Sequence, residues 1–213
     1  MKKETRTLEF EIRAEQNEEH GHYLTGQPIV FGSRTDLGPW DEIIEAGALD
    51  KTDLRDVRFL VNHNTNMIPL ARSRNNNESS TMQMSVEENG MKIRVDLDTE
   101  GNTEARNLYS AVSRGDVSGM SFMFTTDEDS WDDLDSEHPT RRIRSIGKVF
   151  EVSAVTFPAY AATNIQARAL PEALESGQDS LESAKAKAEA RERQKKRIRI
   201  LLEAGYGLKD YDS

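Results

Sequence analysis

Apolar and polar residues alternate along several short segments in the first 160 positions, a pattern typical of β-strands with one buried face. In the first of these segments Leu8, Phe10 and Ile12 alternate with charged residues. The second segment contains Gly26 and Pro28, which predict a bulge or an edge position. Strands are therefore predicted over residues 6–14, 23–31, 57–62, 82–86, 91–97, 117–124, 141–149 and 151–157.

The same pattern predicts one hairpin and one helix. Glu87-Glu88-Asn89-Gly90 separates two alternating segments, and Asn-Gly tolerates the positive φ of a tight turn. Residues 103–113 have apolar positions at helical spacing, with Thr103 as a candidate cap and Gly115 as a C-terminal stop. The apolar stripe of this helix consists of Ala105, Leu108, Tyr109 and Val112.

Two segments have no clear periodicity. Residues 41–50 are predicted to form a short helix or a turn. Residues 127–138 are rich in Asp and Ser, with seven acids and no base between 127 and 137, and are predicted to form an acidic loop.

The composition changes near residue 170. Residues 171–180 are polar and contain a glycine, so they are predicted to be a linker, and residues 181–204 have helix-forming composition. This predicts a domain over residues 1–170 and a linker with a charged helical tail over 171–213. The strand count predicts an all-β barrel or a mostly β, α+β domain, followed by the C-terminal charged helical tail.

Composition narrows the function. The net charge of −10 argues against general nucleic-acid binding, which needs positive surface. With no cysteine and four histidines, the chain has no thiolate chemistry, and a metal site of several histidines is not expected. No run of eighteen apolar residues predicts a membrane span, and the charged first residues are not expected to be a secretory signal.

Three polar residues in apolar surroundings form a candidate acyl-transfer site. Ser121 follows Gly119-Met120 in an apolar run, His63 follows the predicted strand 57–62, and Glu151 begins another apolar run. A histidine can remove the proton of a serine hydroxyl near neutral pH, and a carboxylate can orient the imidazole.

Each of these residues also fits an ordinary structural role. Ser121 fits as a small strand residue, and Ser118 competes with it as a nucleophile. His63 fits as a solvated residue at a strand end, and Glu151 as an exposed residue or a partner of Arg72 or Arg142. The motif around Ser121 is not Gly-x-Ser-x-Gly, so a nucleophile elbow is not indicated.

Five segments, taken in order, resemble the prohead (procapsid maturation) serine proteases of tailed bacteriophages, which are distantly similar to herpesvirus assemblins. The resemblance covers roughly residues 6–168, and its last two motifs together are the most specific. The segments are Glu45-Ala46-Gly47-Ala48-Leu49, Phe59-Leu60-Val61-Asn62-His63-Asn64, Asp98-Thr99, Arg114-Gly115-Asp116-Val117-Ser118-Gly119-Met120-Ser121-Phe122-Met123-Phe124 and Glu151-Val152-Ser153-Ala154-Val155-Thr156-Phe157-Pro158-Ala159-Tyr160.

The resemblance implies a serine endopeptidase with Ser121 as nucleophile, His63 as base and Glu151 as the third member. Backbone N–H groups near Gly119, Met120 and Phe122 are candidates for the oxyanion hole. The implied fold is mostly β (α+β), a closed or partly open β-barrel with flanking helices. No cofactor or metal is implied. The implied partners are the major capsid protein, its delta-domain or scaffold, and the enzyme itself through self-association and self-cleavage near residue 170. The implied location is the procapsid in the host cytoplasm, without nucleic acid or membrane partners.

Two alternatives from other classes stay open at this point. One is a non-catalytic capsid assembly or scaffolding protein whose charged tail binds partners. The other is a serine esterase on an unrelated β fold. Loss of capsid-subunit cleavage on removal of the Ser121 hydroxyl separates the protease from both.

Overall fold

The computed structural model describes residues 2–8, 12–156 and 171–203, which form two β-sheets and two helices. The prediction of a mostly β, α+β chain is confirmed. The predicted barrel is not confirmed, because in the described part of the chain the strands form two sheets, of seven and four strands, that do not close. Strand count alone does not determine which edges meet, so it could not distinguish an open arrangement from a closed one.

The seven-stranded sheet positions the candidate site, because Ser121 and Glu151 lie in its strands and His63 directly follows one of them. Its order is β1-β10-β11-β5-β4, and β6 and β7 extend it from the other half of β11. Its strands are β1 (Glu4–Leu8), β4 (Arg34–Asp36), β5 (Asp41–Ile44), β6 (Asp56–Val61), β7 (Ala71–Arg74), β10 (Gly119–Asp132) and β11 (Thr140–Val155).

Strand β11 is the organising element of this sheet. One edge pairs antiparallel with β10 along almost the whole strand. The other edge pairs in parallel with β5 near Thr140 and with β6 near Glu151. One long strand therefore holds three others, and it places the end of β6 beside Ala154, three residues after Glu151.

The four-stranded sheet has the order β2-β3-β9-β8 and includes the predicted hairpin. A register shift between Gly26 and Ile29 confirms the bulge expected in β3. Apolar side chains from both sheets and from α1 form one core, which includes Leu24, Phe59 and Phe122. The remaining elements are β2 (Arg13–Asn17), β3 (Gly21–Val30), β8 (Met82–Glu87), β9 (Gly90–Asp96), α1 (Thr103–Ser113) and α2 (Pro171–Glu203).

Helix α1 has the predicted bounds but a different cap. The Asn102 side chain, not Thr103, accepts hydrogen bonds from the N–H groups of Glu104 and Ala105. Asparagine is a strong N-cap residue because its short side chain reaches these otherwise unpaired donors. Gly115 has φ of 79°, which fits the predicted stop after the helix.

Four other predictions about local structure are wrong over all or part of their range. Within the predicted helix or turn over 41–50, residues 41–44 form β5, because Ile43 and Ile44 are buried in the sheet, and residues 46–50 form a turn. The first part of the predicted acidic loop extends β10 through Asp132, since its acids face the arginines of β11: Asp129 binds Arg141 and Asp132 binds Arg142, and only residues 133–138 form the loop. The predicted linker over 171–180 is the first part of α2. The described parts of the predicted strand over 6–14 belong to β1 and β2, and residues 9–11 lie outside the described residues. The predicted domain boundary near residue 170 lies outside the described residues.

Helix α2 packs on the sheet through its first half. Gly177 lies so close to Trp40 that a Cβ atom would come within 2.5 Å of the indole ring. The Ser180 hydroxyl accepts a hydrogen bond from Trp131 at 3.0 Å and donates one to Asp129 at 2.8 Å. Beyond residue 188 the described side chains of the helix are exposed. Neither of the two described helices is both long and apolar enough to span a membrane.

Buried ion pairs fix strand β1 at the edge of the seven-stranded sheet. Glu4, Arg6, Glu42 and Arg141 are each at most 3% exposed. Arg6 binds both glutamates, with 2.6 Å to Glu4 and 2.7 Å to Glu42. Arg141 lies 2.6 Å from Glu4 and 3.2 Å from Glu42. Because buried charges are costly without partners, this alternation of signs keeps β1 in place beside β10.

Candidate active site

His63 lies in a tight turn directly after β6. Asn62 and His63 both have positive φ, 51° and 56°, a conformation that is uncommon for residues other than glycine. The turn is bound to the end of β11: the N–H of Asn62 donates to the Ala154 carbonyl at 2.9 Å, and its side-chain oxygen accepts from the N–H of Thr156 at 3.0 Å. The left-handed turn directs the imidazole across β11.

The imidazole of His63 is paired with Glu151. Nδ1 lies 2.6 Å from Oε1 of this carboxylate, which is 3% exposed. An ionised carboxylate only accepts hydrogen bonds, so Nδ1 carries the proton and Nε2 of the neutral ring has a free lone pair. Nε2 is buried and has no hydrogen-bond partner among the described residues. This arrangement gives a base that is oriented on one side and unoccupied on the other.

Ser121 lies one strand away from this pair. It is fully buried in β10 and lies directly opposite Ser153 of β11. The Met123–Glu151 pair follows two positions along the same ladder. Directly opposed residues project to the same face of a sheet, so Ser121, Ser153 and Glu151 share a face. The neighbouring pair Phe122 and Val152 projects to the opposite face, into the apolar core.

The hydroxyl of Ser121 is not bonded to His63 in this structure. It donates to the backbone carbonyl of Arg6 in β1 at 2.8 Å. The structure thus brings the three predicted residues to neighbouring strands and joins only two of them directly. A different χ1 rotamer of Ser121 would redirect the hydroxyl without movement of the backbone.

Ser118, the alternative nucleophile, and the two arginines considered as partners of Glu151 have other positions or partners. Ser118 is exposed and precedes β10. Arg72 binds Asp56 at 2.7 Å, and Arg142 binds Glu45 at 2.6 Å. Both arginines are therefore paired with carboxylates other than Glu151.

The three backbone candidates for the oxyanion hole lie in or at the start of β10. Met120 and Phe122 have ladder partners in both β1 and β11. The described pairing of Gly119 is with Val155. Gly119 therefore has the backbone with the fewest described strand partners among the three.

Sequence reasoning missed two residues that contact the candidate site. Ser153 donates to Oε2 of Glu151 at 2.5 Å and accepts from the N–H of His63 at 3.2 Å. Asn62 fixes the turn as described above. The signal for Ser153 was a hydroxyl inside an otherwise apolar run, and for Asn62 a residue type that tolerates positive φ.

One group of side chains in the described part of the chain has the composition of a metal site. Asp36, Asp41 and His138 have ligand atoms within 4.8 Å of one another. Asp41 also binds Arg34 at 3.0 Å and His138 at 3.1 Å, so contacts among described side chains account for the group. It lies near Thr140, at the opposite end of β11 from Glu151.

Comparisons with known proteins identify the family. The family model described as caudovirus prohead serine protease matches residues 8–176. The prohead protease of Enterobacteria phage HK97 is 28% identical over 158 residues, which cover 72% of this chain and 63% of that protein. The chain thus spans less than two thirds of the length of this relative. The solved capsid assembly protease of bacteriophage T4 covers 73% of this chain and 99% of its own, with 14% identity and a TM-score of 0.37.

Proposed function

The chain belongs to the caudovirus prohead serine protease family, and we propose that it is an endopeptidase in which Ser121, His63 and Glu151 act together. The observation that carries this assignment is the His63–Glu151 pair at 2.6 Å, with a buried, unpartnered Nε2 one strand away from a serine. A protonated Nδ1 held by a carboxylate leaves Nε2 as the base, as a serine nucleophile requires.

In the first step Ser121 turns from the Arg6 carbonyl towards Nε2 of His63. The imidazole accepts the hydroxyl proton while the oxygen attacks the peptide carbonyl. Glu151 then stabilises the imidazolium, and its hydrogen bond keeps the ring in the productive orientation. Backbone N–H groups around Gly119 are the proposed donors to the negatively charged oxygen.

The second half of the cycle uses the same residues in reverse. His63 gives the proton to the leaving amine, and the acyl group remains on Ser121. A water then loses a proton to Nε2 and attacks the acyl ester, which releases the new carboxylate and restores the serine hydroxyl. These steps need no cofactor or metal.

We propose that the substrates are capsid or scaffold proteins inside the procapsid. The HK97 relative is named a prohead protease. The finer proposals are cleavage of a delta-domain or scaffold, self-association, and self-cleavage near residue 170. In this proposal the exposed second half of α2 holds the enzyme to scaffold or capsid while processing takes place.

The decisive experiment is coexpression with the capsid subunit, followed by mass spectrometry of the subunit and of the enzyme. Wild type is expected to produce truncated subunits, and Ser121→Ala is expected to leave them intact. Ser118→Ala is the matched control, and it should process like wild type. If Ser121→Ala still cleaves while Ser118→Ala does not, the nucleophile is wrongly assigned. Intact subunits with the wild type would favour the non-catalytic assembly protein.

A further inference from the structure

One hydroxyl contacts both members of the His63–Glu151 pair. Ser153 is fully buried in β11 and donates to Oε2 of Glu151 at 2.5 Å. The same oxygen accepts a hydrogen bond from the backbone N–H of His63 at 3.2 Å. The proposed proton transfers do not involve Ser153. Its two hydrogen bonds therefore indicate a role other than proton transfer.

We propose that Ser153 is a positioning residue that sets the geometry of the His63–Glu151 pair. This inference rests on the proposed function, because it assigns Ser153 a role in the same site. Ser153 acts through its two neighbours and does not contact the substrate.

The first part of the argument concerns the carboxylate. Glu151 has two oxygens, and Ser153 and His63 each bond one of them. With both oxygens engaged, the plane of the carboxylate is fixed and Oε1 is directed at Nδ1. Because a buried carboxylate is costly without hydrogen-bond donors, the Ser153 hydroxyl also offsets part of the cost of burying Glu151.

The second part concerns the backbone of the turn. Asn62 and His63 hold consecutive left-handed conformations, which persist only where surrounding bonds enforce them. Ser153 supplies one of these bonds, to the N–H of His63, and Ala154 supplies the next, to the N–H of Asn62. The hydroxyl therefore orients the imidazole through the main chain as well as through Glu151.

The same contacts argue against Ser153 as the nucleophile. A serine hydroxyl has one proton, and that of Ser153 is donated to Glu151. The oxygen bonds the carboxylate that holds Nδ1, whereas the base is Nε2. Ser121 and Ser153 lie directly opposite each other on the neighbouring strands β10 and β11, and the two serines have separate roles.

The test compares Ser153→Ala with Ser73→Ala, which removes another fully buried strand hydroxyl, outside the site. Ser153→Ala is expected to lower kcat for capsid-subunit cleavage by roughly 10–100-fold, the effect of losing a hydrogen bond to a charged group. KM should change little, since no substrate contact is lost. Ser73→Ala should keep the wild-type kcat.

A second readout does not depend on catalysis. The Nδ1 proton of His63 is followed by NMR in the Ser121→Ala background, where it should give a downfield resonance. Adding Ser153→Ala should shift or broaden that resonance, and adding Ser73→Ala should leave it unchanged. An unchanged resonance together with an unchanged kcat in Ser153→Ala would overturn the proposal.

Ser153→Thr separates positioning from folding. Threonine keeps the hydroxyl and suits a strand, so this variant should stay within a few-fold of wild type even if Ser153→Ala unfolds. Equal losses in folded Ser153→Ala and Ser153→Thr would count against a role for the hydroxyl. If Ser121→Ala remains active, the nucleophile assignment fails, and the NMR comparison still decides the role of Ser153.

Discussion

Ser121 and Ser153 are directly opposed in the antiparallel ladder between β10 and β11, and both are fully buried. The pairing places the proposed nucleophile beside the residue that contacts both His63 and Glu151. Directly opposed side chains lie about 4.5–5.5 Å apart at Cβ, so the site is set by strand register. Changes that disturb β11 should therefore affect activity even where they leave the three proposed catalytic residues in place.

Replacing the carboxylate of Glu151 tests the orientation of His63. Glu151→Gln keeps the shape but no longer provides an ionised acceptor for Nδ1, so the imidazolium loses its stabilising partner. We expect kcat to fall by about 10³–10⁴-fold, the scale known for amide replacements of a triad carboxylate. Cleavage rates from purified variants measure this, with the exposed Glu137→Gln as a control that should retain full activity.

The left-handed turn at Asn62 is the next test. Asn62→Ala removes the two hydrogen bonds from Thr156. It also places alanine, which has no polar side chain to bond the nearby backbone, at a φ of 51°. We expect it to lower the free energy of unfolding by about 1–3 kcal/mol and to reduce kcat. Asn62→Gly relieves the strain but not the lost bonds, so it should be more stable than Asn62→Ala while still less active than wild type.

The control for this turn is Asn75→Gly. Asn75 has a similar φ of 54° in an exposed turn outside the site. It should retain wild-type kcat. Denaturant unfolding and cleavage assays on the three variants separate strain from function, and wild-type kcat in Asn62→Ala would show that the turn is not needed.

At Gly177 of helix α2 we expect alanine to be less favourable than glycine, contrary to the usual helix propensities. Alanine normally stabilises a helix interior over glycine by about 1 kcal/mol. At Gly177 the added Cβ would come within 2.5 Å of Trp40, so Gly177→Ala should weaken the docking of α2. Tryptophan fluorescence and limited proteolysis should report a loosened helix, whereas the exposed neighbour Gln178→Ala should behave like wild type. Unchanged protease resistance in Gly177→Ala would contradict the close packing.

The buried charges predict a response to acid. Burial alone raises the pKa of Glu4, but the charge of Arg6 and the hydrogen bond from Arg141 outweigh it and hold the pKa at about 2, below the ordinary 4.5. A depressed folded-state pKa gives stability that is present above the unfolded value and is lost as pH falls through the folded value. The Glu4 contribution should therefore decline from about pH 4.5 towards pH 2.

Unfolding curves at several pH values test this. Glu4→Gln should be less stable at neutral pH, because it removes one charge partner from each of the buried Arg6 and Arg141, and its stability should fall less between pH 5 and pH 2. A slope equal to that of wild type would mean that Glu4 is not a source of the acid sensitivity.

Local patterns were enough to predict several elements. The β8–β9 hairpin, the bounds of α1 and the strand before His63 all follow from periodicity and turn residues that act within ten positions. The triad members were named from residue type and from a resemblance to a family that the comparisons confirm. Their assignment as a triad stays a prediction, supported for His63 and Glu151 by direct contact.

Long-range pairing accounts for what the sequence could not predict. The acids of residues 127–132 have a loop-like composition until the arginines of β11 are placed opposite them. Residues 171–180 resemble a linker in their composition, yet Gly177 packs against Trp40, directly before β5, and Ser180 bonds Trp131 of β10. The role of Ser153 depends on β6 lying beside β11, which no local pattern encodes.

The cluster of Glu4, Arg6, Glu42 and Arg141 also acts as a check on strand alignment. A one-residue slip of β1 would turn Glu4 and Arg6 to the opposite face and deprive the buried Glu42 and Arg141 of the two charges that β1 supplies to them. Misalignment of β1 therefore costs far more free energy than misalignment of an apolar strand would. The Arg6 carbonyl accepts the hydrogen bond of the Ser121 hydroxyl. The alignment of β1 therefore also determines where the serine hydroxyl points before substrate binds.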